Sequence, residues 1–353
     1  MEPYRLASPL LCSLLILSFF TSVQAESSLP KVLSISMVSN TLGWAVGDGG
    51  TILKWNGDKW ERWQSPTTTN LKSVYALQDR HWAVGENGTI IYGSEDKWNI
   101  LHAPSNSTLF SVHGSSQENV WASGEESTFM RWNGISWSHS SAGLAINLNS
   151  IFIKELEGWA VSNKGIILHY NGSFWSIEPQ ITDINLRGVT VGGGYEWAVG
   201  DSGITLIRAR EMWSSLGNPT GNNLHSIFVA DGGEVWVVGA NGTILHRSGL
   251  KDPLWKLYNS PVKVDLYDVS MPSKDFGFIV GDGVILQWDG VAWKTYDKPI
   301  TLAPTTPLVT AVTEIGSKTM LQLTLIIVGI CIVIGSTAVW RRKKRGERRH
   351  SYS

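Results

Sequence analysis

The chain has 353 residues, 18 of them tryptophan, with 29 basic and 30 acidic side chains and a net charge of −1. Near-neutrality hides an uneven distribution: residues 26–318 hold 28 acidic and 21 basic side chains, a net of −7, which excludes the basic stripe that a nucleic-acid partner requires. Cys12 and Cys331 both fall outside that stretch, so no disulfide framework braces it.

Residues 1–25 read as a secretory signal. Arg5 supplies the charge, Leu10 to Phe20 the apolar run, and Val23-Gln24-Ala25 the small-residue cleavage pattern. Leu10-Leu11 ahead of Cys12 lacks the small residue of a lipoprotein signal, so lipid attachment is not expected.

From Val32 onward the chain repeats itself. An aromatic anchor followed by a small or apolar pair, usually closed by glycine, recurs at Trp44, Trp82, Trp121, Trp159, Trp197, Trp236 and Phe278, at spacings of 38, 39, 38, 38, 39 and 42 residues. A β-branched residue lies eight or nine positions before each anchor (Ile35, Val74, Val112, Ile151, Val189, Ile227, Val269), and Leu or Val three before that. A second tryptophan closes each unit: Trp60, Trp98, Trp137, Trp175, Trp213, Trp255 and Trp293. A period near 40 residues marks one supersecondary unit repeated, and seven strand-rich copies close a ring.

Within a unit the elements follow one another as short strands and tight turns. Residues 71–77 and 81–84 carry the β-branched and aromatic enrichment of strands. Gly47-Asp48-Gly49-Gly50 and Glu86-Asn87-Gly88 are hairpin signals, because glycine and asparagine tolerate positive φ. Thr51–Trp55 is a third strand, Asn56-Gly57-Asp58-Lys59 a second hairpin, and a fourth strand starts at Trp60. No extended apolar stripe has helical spacing. The expectation for 32–297 is an all-β, seven-bladed propeller of four-stranded antiparallel blades, with most tryptophans in its core. An exposed tryptophan, such as Trp63, would suit stacking against a sugar.

Beyond the repeats, 298–318 contains Pro299, Pro304, Pro307 and several threonines and reads as an extended stalk. Met320 to Val339 is uncharged and long enough to cross ~30 Å of hydrocarbon. The basic cluster Arg341–Arg345 with Arg348 and Arg349 follows at once. Those charges place residues 341–353 in the cytoplasm and the propeller outside, anchored through a single transmembrane helix at 320–340. Cys331 is a small apolar residue of that span.

Trp44–Leu53 has the form Trp-Ala-Val-Gly-x-x-Gly-Thr-Ile-Leu and is closed by Gly57-Asp-Lys-Trp60; Trp82–Ile91 is the next closest copy. This pattern resembles the BNR-like propellers typified by the photosystem II assembly (stability) factor family, over essentially all of 32–296. The resemblance implies an assembly or protein-binding role without catalysis or cofactor. The chain departs from that pattern in carrying its own anchor and in often using Trp-Asn-Gly where the family favours Thr-x-Asp-Gly-Gly, departures that weigh against a photosystem partner.

Two repeat positions are candidates for recognition. The fourth residue after each anchor falls in a turn and is acidic in five units: Asp48, Glu86, Glu125, Asp201 and Asp282, with Asn163 and Ala240 in the others. The residue after the leading Leu or Val of each inner strand is highly varied: Leu33, Lys72, Phe110, Asn149, Arg187, His225 and Tyr267. A position that does not repeat beside a channel mouth is where specificity would be written. The acidic turn residues would either ring the rim for a cation or basic partner, or satisfy local backbone donors.

An enzyme on the same scaffold, glycan-processing (sialidase-like) or lyase-like, is the alternative. The arginines share no repeat position as a carboxylate-clamping triad would, and the histidines show no metal-ligand spacing, so neither a catalytic residue nor a metal site is assigned. The sequons at Asn87, Asn106, Asn171 and Asn241 are candidate glycosylation sites, three of them in turns the fold needs anyway. The expected module is therefore a single-pass membrane protein whose propeller binds an extracytoplasmic protein or glycan.

Overall fold

The computed structural model of the protein describes residues 29–94, 97–248 and 254–303. They form seven sheets, each built on four antiparallel strands consecutive in sequence, with a short fifth strand added to the first. Blade 1 has strands Val32–Ser39, Leu42–Gly47, Ile52–Trp55 and Trp60–Arg62. The first strands of blades 2 to 7 are Leu71–Ala76, Leu109–Ser116, Leu148–Lys154, Leu186–Gly192, Leu224–Val229 and Leu266–Ser273. One sequence repeat makes one blade, as expected. No helix among the described residues is long and apolar enough to cross a membrane; the expected signal segment, transmembrane helix and cytoplasmic tail lie outside the described residues.

The core is divided into seven parts, one between each pair of neighbouring blades. Trp44, Val46 and Ile52 of blade 1, for example, pack on Leu71, Val74, Ala83, Ile91 and Trp98 of blade 2. All seven anchors are buried, as are five of the seven closing tryptophans, while Trp175 and Trp255 are half-buried. Trp63 is not a free platform. It meets Trp44 edge-on at 5.6 Å, and the Lys54 ammonium sits 4.6 Å from its ring centroid.

Glycine closes the Trp-Ala-Val-Gly motif because backbones cross there. A Cβ on Gly47, Gly85, Gly124 or Gly200 would lie 2.1 Å from the carbonyl oxygen of the residue preceding the inner strand. Blade 4 has Ser162 instead and builds a different turn, in which the Ser162 hydroxyl accepts a hydrogen bond from the Ile166 N–H at 3.1 Å. Gly200→Ala, which gains a Cβ without that turn, should cost about 1–3 kcal/mol through overpacking. Equilibrium urea unfolding checks this, and an unchanged midpoint would show that the crossing yields.

Neighbouring blades are also tied near the axis through side chains two positions after the leading residue. The backbone N–H groups of Val74, Val112, Ile151 and Val189 donate to the hydroxyls of Ser34, Ser73, Ser111 and Ser150 on the preceding blade, at 3.1–3.3 Å. Blade 5 has Gly188 at this position and makes no such side-chain tie. Blade 7 has Asp268, whose carboxylate accepts from the Ser226 hydroxyl of blade 6 at 2.7 Å and from the Val269 N–H at 2.9 Å. It also accepts from the Ser34 hydroxyl and Ile35 N–H of blade 1, at 3.0 and 2.9 Å. The last blade thus meets the first.

A second closure lies at the outer edge. Thr301–Leu302 pairs in parallel with Glu61 and Arg62 as a fifth strand of blade 1, and the Ala303 N–H donates to the Arg62 carbonyl at 2.9 Å. The Tyr296 hydroxyl accepts from the Trp60 N–H at 3.1 Å, and Lys298 pairs with Asp58 at 2.7 Å. The chain therefore does not leave the ring at Lys298; the first residues of the expected stalk fasten blade 7 to blade 1.

Candidate functional site

Strand pairing explains why the non-repeating position is special. In blade 1, Val32 pairs with Gly47 and Ser34 with Val46, so Leu33 is the extra residue of a β-bulge. The same register step leaves Lys72, Phe110, Asn149, Arg187, His225 and Tyr267 as bulged residues in blades 2 to 7. A bulge interrupts the ladder and re-aims its side chain. All seven are half-buried. The fold holds this position in one geometry and leaves its chemistry open.

The acidic turn residues share this end of the blades. The backbone N–H groups of Asp48, Glu86, Glu125, Asp201 and Asp282 donate to Lys31, Asn70, Thr108, Asn185 and Asp265, each next to the leading residue of an inner strand, at 2.9–3.1 Å. The two candidate sets therefore lie side by side at one end of the blades, termed the mouth. Two of the acidic side chains, however, are already paired with bulged residues. Lys72 pairs with Glu86 at 2.7 Å and, with Asn70, holds its carboxyl below the usual range. Arg187 clasps Asp201 through two nitrogens, and Asn185 donates to Asp201 at 2.9 Å. Burial opposes ionisation of Asp201, but these donors prevail and its carboxyl lies low. Glu125 accepts from the Thr108 N–H at 2.9 Å.

Other bulged residues reach toward the next blade. Asn149 donates to Asn185 and to the Leu186 carbonyl, both at 2.7 Å. The His225 Nδ1 lies 2.9 Å from the Leu266 carbonyl, and its ring stacks on Tyr267 at 5.5 Å. Burial lowers the His225 pKa, favouring the neutral ring. Lys31 lies 5.3 Å from the Tyr267 ring centroid. The mouth thus holds two fixed ion pairs, a polar arc from Asn149 to His225, and two half-buried aromatic residues, Phe110 and Tyr267, the second stacked with His225. No group of three His, Cys, Asp or Glu among the described residues is arranged to hold a metal.

One set of mouth residues escaped the sequence reading. The side chains of Asn70, Asn147, Asn223 and Asp265 accept from turn N–H groups of the preceding blade: Gly49, Glu126, Ser202 and Asn241, at 2.8–3.4 Å. The signal was present, since asparagine precedes the leading leucine in four repeats. The sequons Asn87, Asn106, Asn171 and Asn241 are all exposed. Asn171 already accepts from the N–H groups of Ser173 and Phe174, at 3.0 and 3.1 Å.

No protein-family profile matches the sequence, and no curated protein matches it. Solved structures do. YCF48 bound to D1 peptide is similar at 19% identity and a TM-score of 0.62, over 74% of this chain and 92% of that one. The WD40 propeller domain of Doa1 is similar at 14% identity and 0.64, over 79% and 97%. Virginiamycin B lyase from Staphylococcus aureus is similar at 14% identity and 0.65, over 74% and 95%. At these identities the likeness is one of fold: the chain is a seven-bladed β-propeller.

Proposed function

We propose that this protein is a membrane-anchored, extracytoplasmic propeller that binds a segment of a partner protein at the mouth of its ring, without catalysis. The observation that carries this reading is the set of seven bulged residues, held in one geometry and chemically different in every blade. A catalytic centre needs a few groups converging on one point. Here varied side chains are spread around a perimeter, which suits an extended ligand. That YCF48, a propeller of similar fold, was solved with a peptide bound supports a peptide as the kind of ligand. The net charge of −7 over residues 26–318 argues against a nucleic-acid partner. The signal segment, the stretch 320–340 and the basic tail give the reading its membrane placement.

Recognition should rest on the aromatic members, because aromatic anchors dominate binding energy at interfaces and the ion pairs are already satisfied within the rim. Phe110→Ala with Tyr267→Ala should reduce co-purification of the partner from solubilised native membranes by about tenfold or more. The urea midpoint of unfolding should change little, since both side chains are half-buried bulge residues. Unchanged co-purification with both rings removed would overturn the reading.

A further inference from the structure

Seven copies of one blade provide an internal control: a departure from the repeat that the fold does not require asks for another explanation. On the face opposite the mouth, two departures meet at the junction of blades 4 and 5.

The first concerns the residue before each anchor and its partner on the third strand. These pairs are Gly43–Trp55, Val120–Trp132, Gly158–Tyr170 and Gly277–Trp288 in blades 1, 3, 4 and 7. The aromatic member packs on the preceding blade, as Tyr170 does on Trp121 at 5.0 Å and Trp288 on Trp236 at 5.1 Å. Blade 2 reverses the arrangement with His81–Gly93, and blade 6 has Val235–Arg247. Blade 5 alone has an acid–base pair, Glu196–Arg208. Arg208 lies 3.9 Å from Glu196 and reaches across to Glu178 of blade 4 at 3.6 Å.

The second concerns the tip of the inner hairpin beside the outer-hairpin glycine. Thr41, Glu118 and Asp275 occupy it in blades 1, 3 and 7, whereas blade 4 has Leu156. Leu156 is 75% exposed, and Phe174 on the neighbouring hairpin is 60% exposed.

Between these departures opens a pocket of about 410 Å³. Glu155, Glu157 and Glu196 line it together with Leu156, Trp159 and Val191; Lys154 is the one basic residue in its wall. Glu155 adopts φ 53°, Lys154 ends the strand, and both are exposed. Burial pushes the Glu196 carboxyl up, Arg208 pulls it back and nearby Glu157 adds to the rise. A second cation in the pocket would offset the repulsion between those two carboxylates. Apolar side chains around that cation would cover Leu156, which a solitary folded ring leaves in water.

We propose that this pocket docks a protein segment carrying a lysine or arginine flanked by apolar residues. The site lies away from the mouth and uses none of its residues, so either surface can fail without the other.

The test uses the full chain in detergent micelles and three peptides observed by NMR line broadening: acetyl-Leu-Lys-Phe-amide and its norleucine and glutamate analogues. The lysine peptide should bind about tenfold more tightly than the norleucine peptide, and the glutamate peptide should show no broadening. Glu155→Gln with Glu157→Gln alters two exposed side chains and should abolish most of the lysine advantage. Leu156→Ser should weaken the lysine and norleucine peptides alike. Equal binding of lysine and norleucine peptides, or a lysine advantage that survives the double glutamine variant, would overturn the proposal. Phe110→Ala with Tyr267→Ala should leave these titrations unchanged, and a loss there would assign the binding to the mouth instead.

Discussion

Asp268→Ala should cost about 2–5 kcal/mol of folding free energy, because it strips the acceptor from the Ile35 and Val269 N–H groups and from two serine hydroxyls at the ring closure. Each stranded backbone donor costs roughly 1–3 kcal/mol, whereas the serines can rotate toward other acceptors. In blades 1 to 4 the same position is a serine with a single incoming backbone bond, so Ser73→Ala should cost only about 0.5–1.5 kcal/mol. The contrast between the two variants is the measurement, read from urea midpoints. A loss at Asp268 no greater than at Ser73 would mean that the seventh junction is closed by packing and the outer-edge strand alone. The carboxylate carries a pH signature as well. Burial raises the Asp268 pKa above its usual value against the four donated bonds. Ionising it in the fold therefore costs stability as pH rises from about 4, the unfolded value, through the raised one. The stability advantage of wild type over Asp268→Asn should shrink across that interval.

Trp44→Ala should cost about 3–5 kcal/mol. Trp44 is 1% exposed and meets Trp63 at 5.6 Å, Trp98 at 5.2 Å and His81 at 4.4 Å, with the Lys54 ammonium 5.4 Å from its ring. Its removal leaves a cavity bounded by two blades, and neither can collapse into it without breaking the ring. Trp255 provides the comparison. It is half-buried and touches Trp197 only at 6.5 Å, so its loss should be tolerated better. A cost below about 1 kcal/mol at Trp44 would show that the anchors are not what joins the blades.

How far the primary structure foretells this architecture depends on the range of each signal. The anchors Trp44 to Phe278 and the turns at Gly49, Asn87 and Asn241 are local: burial and positive φ select residue types at fixed spacing, and the blades could be counted from them. The glycine after each anchor was visible, but its reason was not, because the clash it avoids is with a backbone some sixteen residues away in the chain. The bulges at Leu33 through Tyr267 were visible only as a column that failed to repeat. Register is a property of two strands, so the extra residue appears once Val32 is seen opposite Gly47 and Ser34 opposite Val46. Asp268, in line with five serines, was legible as an exception and illegible as a closure, since its partners Ser34 and Ile35 are more than 230 residues away. Thr301–Leu302 gave no local sign of pairing: a two-residue strand in a proline- and threonine-rich stretch reads as linker. The acidic turns were legible as a ring. That Lys72 and Arg187 already occupy Glu86 and Asp201 was not, because it depends on which way each bulge aims its side chain.

That partner recognition occurs at the mouth is tested most directly by a photo-reactive benzoylphenylalanine placed in the full chain, in native membranes, at position 110, 267 or 100. Ile100 is 60% exposed on the outer edge of blade 2 and serves as the comparison. Binding at the mouth predicts one shared adduct from positions 110 and 267, absent from position 100. Adducts equally abundant at position 100, or none at either mouth position, would contradict it.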